Sequence, residues 1–212
     1  MTDLVIFDCD GVLVDSEPIT LTLIAERLTR AGLPVDHAEV ERLFVGRTLA
    51  TIGDMARARG ADIDDAWVDR TYDALYERLS QGVDLVPGAV DLLDRLETAG
   101  IATAIASNGP MRKMQITLGG VGLLDRFEGR ILSAYDFAAK PDPAMLRHAI
   151  EAAGATPERT AFIDDSAAGW GAAEAAGVTG FAYLPEGDFD RASGYKVRPV
   201  RTMAEIAGHL GL

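Results

Sequence analysis

Leu4-Val5-Ile6-Phe7-Asp8-Cys9-Asp10-Gly11 is an apolar run driven straight into two carboxylates and a glycine. Four apolar residues without polar alternation suit a strand buried on both faces, as in a parallel sheet. Asp8 and Asp10 then lie at the carboxyl edge of that sheet, where open α/β folds bind ligands. Ala161-Phe162-Ile163-Asp164-Asp165-Ser166 repeats the arrangement further along the chain. Four acids converging on one cleft repel one another. A pair of unit charges about 4 Å apart costs roughly 4 kcal/mol at an effective dielectric of about 20. A hard divalent cation with oxygen ligands is the simplest counter-charge.

Between the two acidic stretches the texture changes twice. From Pro18 to about Gly82 the pattern is helical: Leu21, Ile24, Ala25 and Leu28 share one face, and Tyr72, Leu75, Tyr76 and Leu79 another. Gly32-Leu33-Pro34 and Gly60-Ala61-Asp62 punctuate this region into about four helices. After Val86-Pro87-Gly88, strand and helix alternate. Strands are predicted at 101–106, 130–133, 160–163 and 178–183, and helices near 110–118, 141–153 and 167–176. Such alternation implies a parallel sheet with right-handed crossovers. The helical segment is therefore an insertion after the first strand, expected to sit over the acidic site as a lid. Gly119-Gly120-Val121-Gly122 follows a helix rather than a strand, so it reads as a helix stop and not a dinucleotide loop.

The 212 residues suffice for one α/β domain with an insertion, and 48% hydrophobic with 25% charged residues is ordinary for a globular chain. A net charge of −13 argues against nucleic acid or an anionic membrane as partner. An anionic small molecule remains compatible, because a metal and a few basic residues invert the local field. Cys9 is the only cysteine, so no internal disulfide forms. It is expected on the buried face, and the arginine that a phosphatase-type cysteine nucleophile needs is missing before Arg27. The first residues carry acids and no long apolar stretch, so neither a signal peptide nor a membrane span is expected, and a cytoplasmic location is. His37, His148 and His209 are too scattered for a metal cluster or a triad.

Four pieces share one address, the loops after successive strands: Asp8-x-Asp10-Gly11-Val12-x-Val14-Asp15-Ser16, Ser107-Asn108-Gly109, Lys140-Pro141 and Asp164-Asp165-Ser166. Together and in this order they resemble the haloacid-dehalogenase superfamily, in its phosphatases with a small helical cap. The resemblance spans nearly the whole chain. It implies an α/β fold with a Rossmann-like parallel-sheet core, 1–16 and 83–212, and a helical-bundle cap, 17–82. It implies a phosphoric monoester hydrolase in which Asp8 attacks phosphorus and Asp10 serves as general acid and then base. Mg²⁺ is the implied cofactor, held by the Asp8 carboxylate, the Asp10 carbonyl and Asp165, with Asp164 a direct or water-mediated ligand. Gly11 lets the backbone approach the phosphate, Ser107 and the Asn108 N–H receive its oxygens, and Lys140 ties it to Asp8.

Ser107-Asn108-Gly109-Pro110 with Lys113-Met114-Gln115, and Tyr135-Asp136 before Lys140, further resemble bacterial phosphatases of the 6-phosphogluconate type. The substrate implied is a small phosphorylated metabolite, a sugar phosphate or sugar-acid phosphate, acted on by a monomer. Within the insertion, Phe44-Val45-Gly46-Arg47-Thr48 is the loop expected to face the site, where Arg47 either binds substrate or stands in solvent. Three alternatives share parts of the pattern. A β-phosphoglucomutase-like isomerase has the same core and cap, though many such relatives carry a histidine where Thr20 stands here. A haloacid dehalogenase leaves Asp10, Asp164 and Asp165 unexplained. A non-catalytic phosphometabolite-binding module has no use for a complete set of catalytic residues.

Overall fold

The computed structural model describes residues 2–44 and 48–212. In chain order its elements are β1 (Leu4–Phe7), β2 (Val14–Asp15), α1 (Glu17–Arg30), α2 (His37–Phe44), α3 (Leu49–Ala58), α4 (Trp67–Ser80) and β3 (Asp84–Leu85). Then come α5 (Ala89–Thr98), β4 (Ala102–Ser107), α6 (Met111–Gly120), β5 (Ile131–Ser133), α7 (Ala144–Ala152), β6 (Thr160–Asp164), α8 (Ala167–Ala176), β7 (Thr179–Tyr183), β8 (Val197–Val200) and α9 (Met203–Leu210). None of these helices is long and apolar enough to cross a membrane.

The chain divides into two compact units, Met1–Asp15 with Asp84–Leu212, and Ser16–Val83. The first holds a six-stranded sheet ordered β5-β4-β1-β6-β7-β8, with every neighbouring pair parallel. Counted along the chain, this is the 3-2-1-4-5-6 order of the doubly wound fold. β1 lies between β4 and β6, pairing Leu4 with Ala102 on one side and with Thr160 on the other. All four of its residues are buried, as expected of a central strand covered on both faces. On one face Leu4, Ile6, Ala104, Ala106 and Phe162 pack against Met145, Leu146, Ala149 and Ile150 of α7 and against Ala172 and Ala173 of α8. Each fully buried Leu, Ile or Phe contributes about 1.5–3 kcal/mol.

The strand order has a direct consequence. The chain leaves β1 toward β4 and β5, then returns to place β6 on the opposite side. β1 and β6 stay paired, but the chain leaves their carboxyl ends toward opposite edges of the sheet. This makes their ends the topological switch point, and the two acidic stretches sit there.

Several boundaries differ from the expectation. The helix expected from 141 begins at Ala144, because Asp142 precedes Pro143 and is held out of helical geometry, while its Oδ1 accepts from the Ala144 N–H at 2.9 Å. α6 runs on through Gly120 and stops at Gly122, whose φ of 74° lets the Leu123 N–H reach the Leu118 carbonyl at 2.8 Å. β8 and α9, and the two-residue antiparallel pair β2–β3, carried no clear sequence signal. β8 is an edge strand with Arg198 and Pro199 exposed at its middle.

The second unit contains α1 to α4 around a core of Leu21, Ile24, Leu28, Val40, Leu49, Ile52, Ala56, Ala61, Ile63 and Trp67. The buried stripe of α4 is Trp67, Thr71, Leu75 and Leu79. Tyr72 and Tyr76, expected in that stripe, lie at its flank and stack on each other with centroids 5.9 Å apart. Val45, Gly46 and Arg47 lie outside the described residues, and with them the expected role of Arg47.

Candidate active site

Asp8 follows β1 directly, and its N–H extends the ladder to the Ile163 carbonyl at 2.8 Å. The chain then turns: the Leu13 and Val14 N–H groups both reach back to the Cys9 carbonyl, and the Gly11 N–H donates to the Val14 carbonyl at 2.8 Å. Gly11 has a φ of 77°, and a Cβ there would come within 2.3 Å of an Asp165 carboxylate oxygen. Glycine is thus demanded twice, by conformation and by the close approach of Asp165.

Lys140 binds the two strand ends together. Its Nζ donates to Asp8 Oδ1 at 2.7 Å and to Asp164 Oδ2 at 2.6 Å, and only 3% of its side chain is exposed. A buried ammonium between two carboxylates is stable only with this geometry. Its main chain is held by Asn108, whose Oδ1 accepts from the Lys140 N–H at 2.8 Å and whose Nδ2 donates to the Lys140 carbonyl at 3.2 Å. The Lys140–Pro141 bond is cis. Ser107 ends β4, buried, and its Oγ accepts from the Gly109 N–H at 3.0 Å. Ser133, paired with it across β5, donates to the Gly109 carbonyl at 2.8 Å.

Asp164 is fully buried and heavily held. Besides Lys140 on Oδ2, its Oδ1 accepts from the Ser166 N–H at 2.8 Å and the Ser166 hydroxyl at 2.6 Å. Trp170 Nε1 donates to its main-chain carbonyl at 2.8 Å. Ser166 also caps α8, accepting from the Gly169 N–H at 3.2 Å. Asp10 is partly exposed and pairs through Oδ1 with Lys113 Nζ at 2.9 Å.

The electrostatics follow from burial. Desolvation pushes the Asp8 carboxyl up to about 7 against the pull of Lys140, with Asp164 and Asp10 adding to the rise. Asp165 is pushed up to about 8 by burial, then by Asp8 and Asp164, while Lys140 opposes. Burial disfavours the charged Lys140, yet Asp164 and Asp8 hold it above the ordinary lysine range. Cys9 is fully buried, and burial beside Asp10 and Asp8 raises its thiol well above the usual value, so it is no nucleophile. Asp8, Asp164 and Asp165 each offer a ligand atom within 4.8 Å of the others. Asp8 and Asp165, which resist ionisation on their own, are donors short of positive charge, which fits a hard dication.

A family model described as haloacid dehalogenase-like hydrolase matches residues 2–177. The chain belongs to this family. The 6-phosphogluconate phosphatase of Escherichia coli is 35% identical over 168 residues, 78% of this chain and 75% of that protein. A phosphoglycolate phosphatase of Rhodospirillum rubrum is 33% identical over 189 residues, 84% of this chain and 78% of that one. The crystal structure of a conserved haloacid dehalogenase-like protein from Agrobacterium tumefaciens superposes with a TM-score of 0.85 at 29% identity, covering 100% of this chain and 98% of that one. The fold is the Rossmann-like α/β architecture that the motifs implied.

In this haloacid dehalogenase-like hydrolase, Asp8, Asp10, Gly11, Ser107, Asn108, Lys140, Asp164 and Asp165 all lie at the carboxyl edge of one sheet. The Asn108 side chain does more than expected, since its amide clamps the Lys140 backbone. Lys113 had no assigned role from sequence and meets Asp10. Its signal was its place in the first turn of α6, just beyond the Ser107-Asn108-Gly109 loop.

Proposed function

We propose that this enzyme, a phosphoric monoester hydrolase, removes phosphate from a small phosphorylated hydroxy acid by way of an aspartyl-phosphate on Asp8. The observation that carries the reading is the buried Asp8–Lys140–Asp164 bridge at the switch point, with Asp165 and Ser107 at the same edge. An Asp8 oxygen attacks phosphorus while the bond to the leaving oxygen breaks, and Asp10 gives its proton to the departing alkoxide. Asp10 then takes a proton from water, whose oxygen attacks phosphorus and frees Asp8 and inorganic phosphate. Lys140, fixed by Asp164 and Asn108, neutralises charge on the phosphoryl oxygens, with Ser107 and the Asn108 N–H as further donors.

Mg²⁺ fits the donor set, and the Asp8 and Asp165 carboxylates with the Asp10 carbonyl would hold it. Asp164 has both oxygens engaged by Lys140 and Ser166, so we assign it to holding Lys140 rather than to the metal. When bound, the ion supplies Lewis-acid stabilisation of phosphoryl charge and keeps the acidic cluster ionised. The hydroxy-acid class rests on two relatives whose names, 6-phosphogluconate and phosphoglycolate phosphatase, both denote carboxylate-bearing phosphate esters.

The test is phosphate release from 6-phosphogluconate, phosphoglycolate and hexose phosphates with added magnesium. We expect release by the wild type, loss of at least about 10³-fold in Asp8→Asn with the fold retained, and loss in excess EDTA. Isomerised hexose phosphate without free phosphate would instead establish the mutase, and full activity in Asp8→Asn would remove the aspartyl-phosphate.

A further inference from the structure

Lys113 sits in the first turn of α6, where the helix dipole disfavours a cation. Its side chain is nonetheless turned inward, 14% exposed, and its Nζ lies 2.9 Å from Asp10 Oδ1. Solvent would hold this ammonium at less cost, so its placement calls for a partner that gains from it. Asp10 stands on the tight Cys9–Val14 turn, and its other oxygen faces Gly109, 3.6 Å from where a Cβ would project. The first turn of α6 and the β1 turn thus meet through one ion pair beside the Ser107-Asn108-Gly109 loop.

We propose that Lys113 is a positioning residue for Asp10: it grips Oδ1 and so aims Oδ2 at the phosphate loop, where the leaving oxygen departs. This rests on the phosphatase reading, in which Asp10 is the acid that protonates the leaving group. In this role Lys113 acts only through the Asp10 carboxylate. A proton donor displaced by about 1 Å loses on the order of 10²-fold in rate, so losing the grip has a measurable signature.

The signature depends on the leaving group. An alkoxide needs Asp10's proton as it departs, whereas nitrophenolate leaves without one. The quantity to measure is kcat/KM, which reports events only up to leaving-group departure. The probes are the fastest alkyl ester among 6-phosphogluconate, phosphoglycolate and glycerol phosphate, and p-nitrophenyl phosphate. We expect Lys113→Met to lower kcat/KM about 100-fold for the alkyl ester but less than about threefold for the nitrophenyl ester. Lys113→Arg, which keeps a cation, should recover most of the loss. Asp10→Asn should cost the alkyl ester more than the nitrophenyl ester, and adding Lys113→Met to it should cost almost nothing more on the alkyl ester, because the lysine acts only through that carboxylate.

Equal losses on both esters, or full additivity with Asp10→Asn, would overturn the proposal and make Lys113 a purely structural contact. Lys113→Gln serves the same comparison should the methionine variant fail to fold. A wild type that releases phosphate from none of the probes would overturn the phosphatase reading itself, an outcome distinct from a lost substrate split in an active enzyme.

Discussion

Gly169 shows how one missing atom shapes the site. A Cβ there would come within 1.9 Å of the Asp164 carboxyl carbon, in a residue with no room to retreat. Gly169→Ala should displace Asp164, and through it Lys140. We expect a destabilisation of about 1–3 kcal/mol by urea unfolding, with kcat reduced on the order of 10²-fold. Wild-type stability and rate in that variant would mean that the Asp164 contact is dispensable. At this scale the acids were legible, because a carboxylate straight after an apolar strand stands out in any sequence. The partners were not. Lys113 looks like any helix-start lysine, and Asn108 like any turn residue. Only proximity across 103 residues of chain for Lys113 and Asp10, and 32 for Asn108 and Lys140, gives them their tasks.

Among the elements, α8 does two jobs through one residue. Ser166 accepts from the Gly169 N–H as helix cap and donates to buried Asp164 from its hydroxyl. Losing both should make Ser166→Ala less stable by about 2 kcal/mol in thermal or chemical unfolding, and Ser166→Thr should restore most of it. An alanine variant as stable as wild type would show that neither bond matters. The strongly periodic elements were legible: β1, β4, β6 and β7 as apolar runs, α1 as an amphipathic stripe. β8 was not, since an edge strand carrying Arg198 and Pro199 has neither period nor continuous hydrophobicity. β2 and β3 have two residues each, too few for any pattern. The buried Thr71 in α4 displaced Tyr72 from the inferred stripe, because its hydroxyl is satisfied locally by the Trp67 carbonyl at 2.6 Å.

At the scale of the molecule, the acidic cluster couples stability to pH. Asp8 and Asp165 are raised to about 7 and about 8 in the folded protein, so without metal it keeps protons that the unfolded chain has lost. The folded state binds more protons between about pH 4 and 8, so metal-free stability falls as pH rises through that window. Lys140, raised in the folded state, changes nothing there, since its contribution is lost only at higher pH. Magnesium should therefore raise the melting temperature more at about pH 8 than at about pH 5, and Asp165→Asn should flatten the metal-free slope. A melting temperature indifferent to magnesium at the higher pH would contradict the metal assignment. The sequence alone carried the strand-then-acid motif, its recurrence and the helical texture after the first strand, written in local hydrophobic period, and the family resemblance, carried by the order of four motifs. The tertiary structure alone decided the strand order that sets β1 beside β6, the Lys140 bridge between their carboxyl ends, and the pairing of Lys113 with Asp10. Those depend on distances between residues far apart in the chain, which no local pattern encodes.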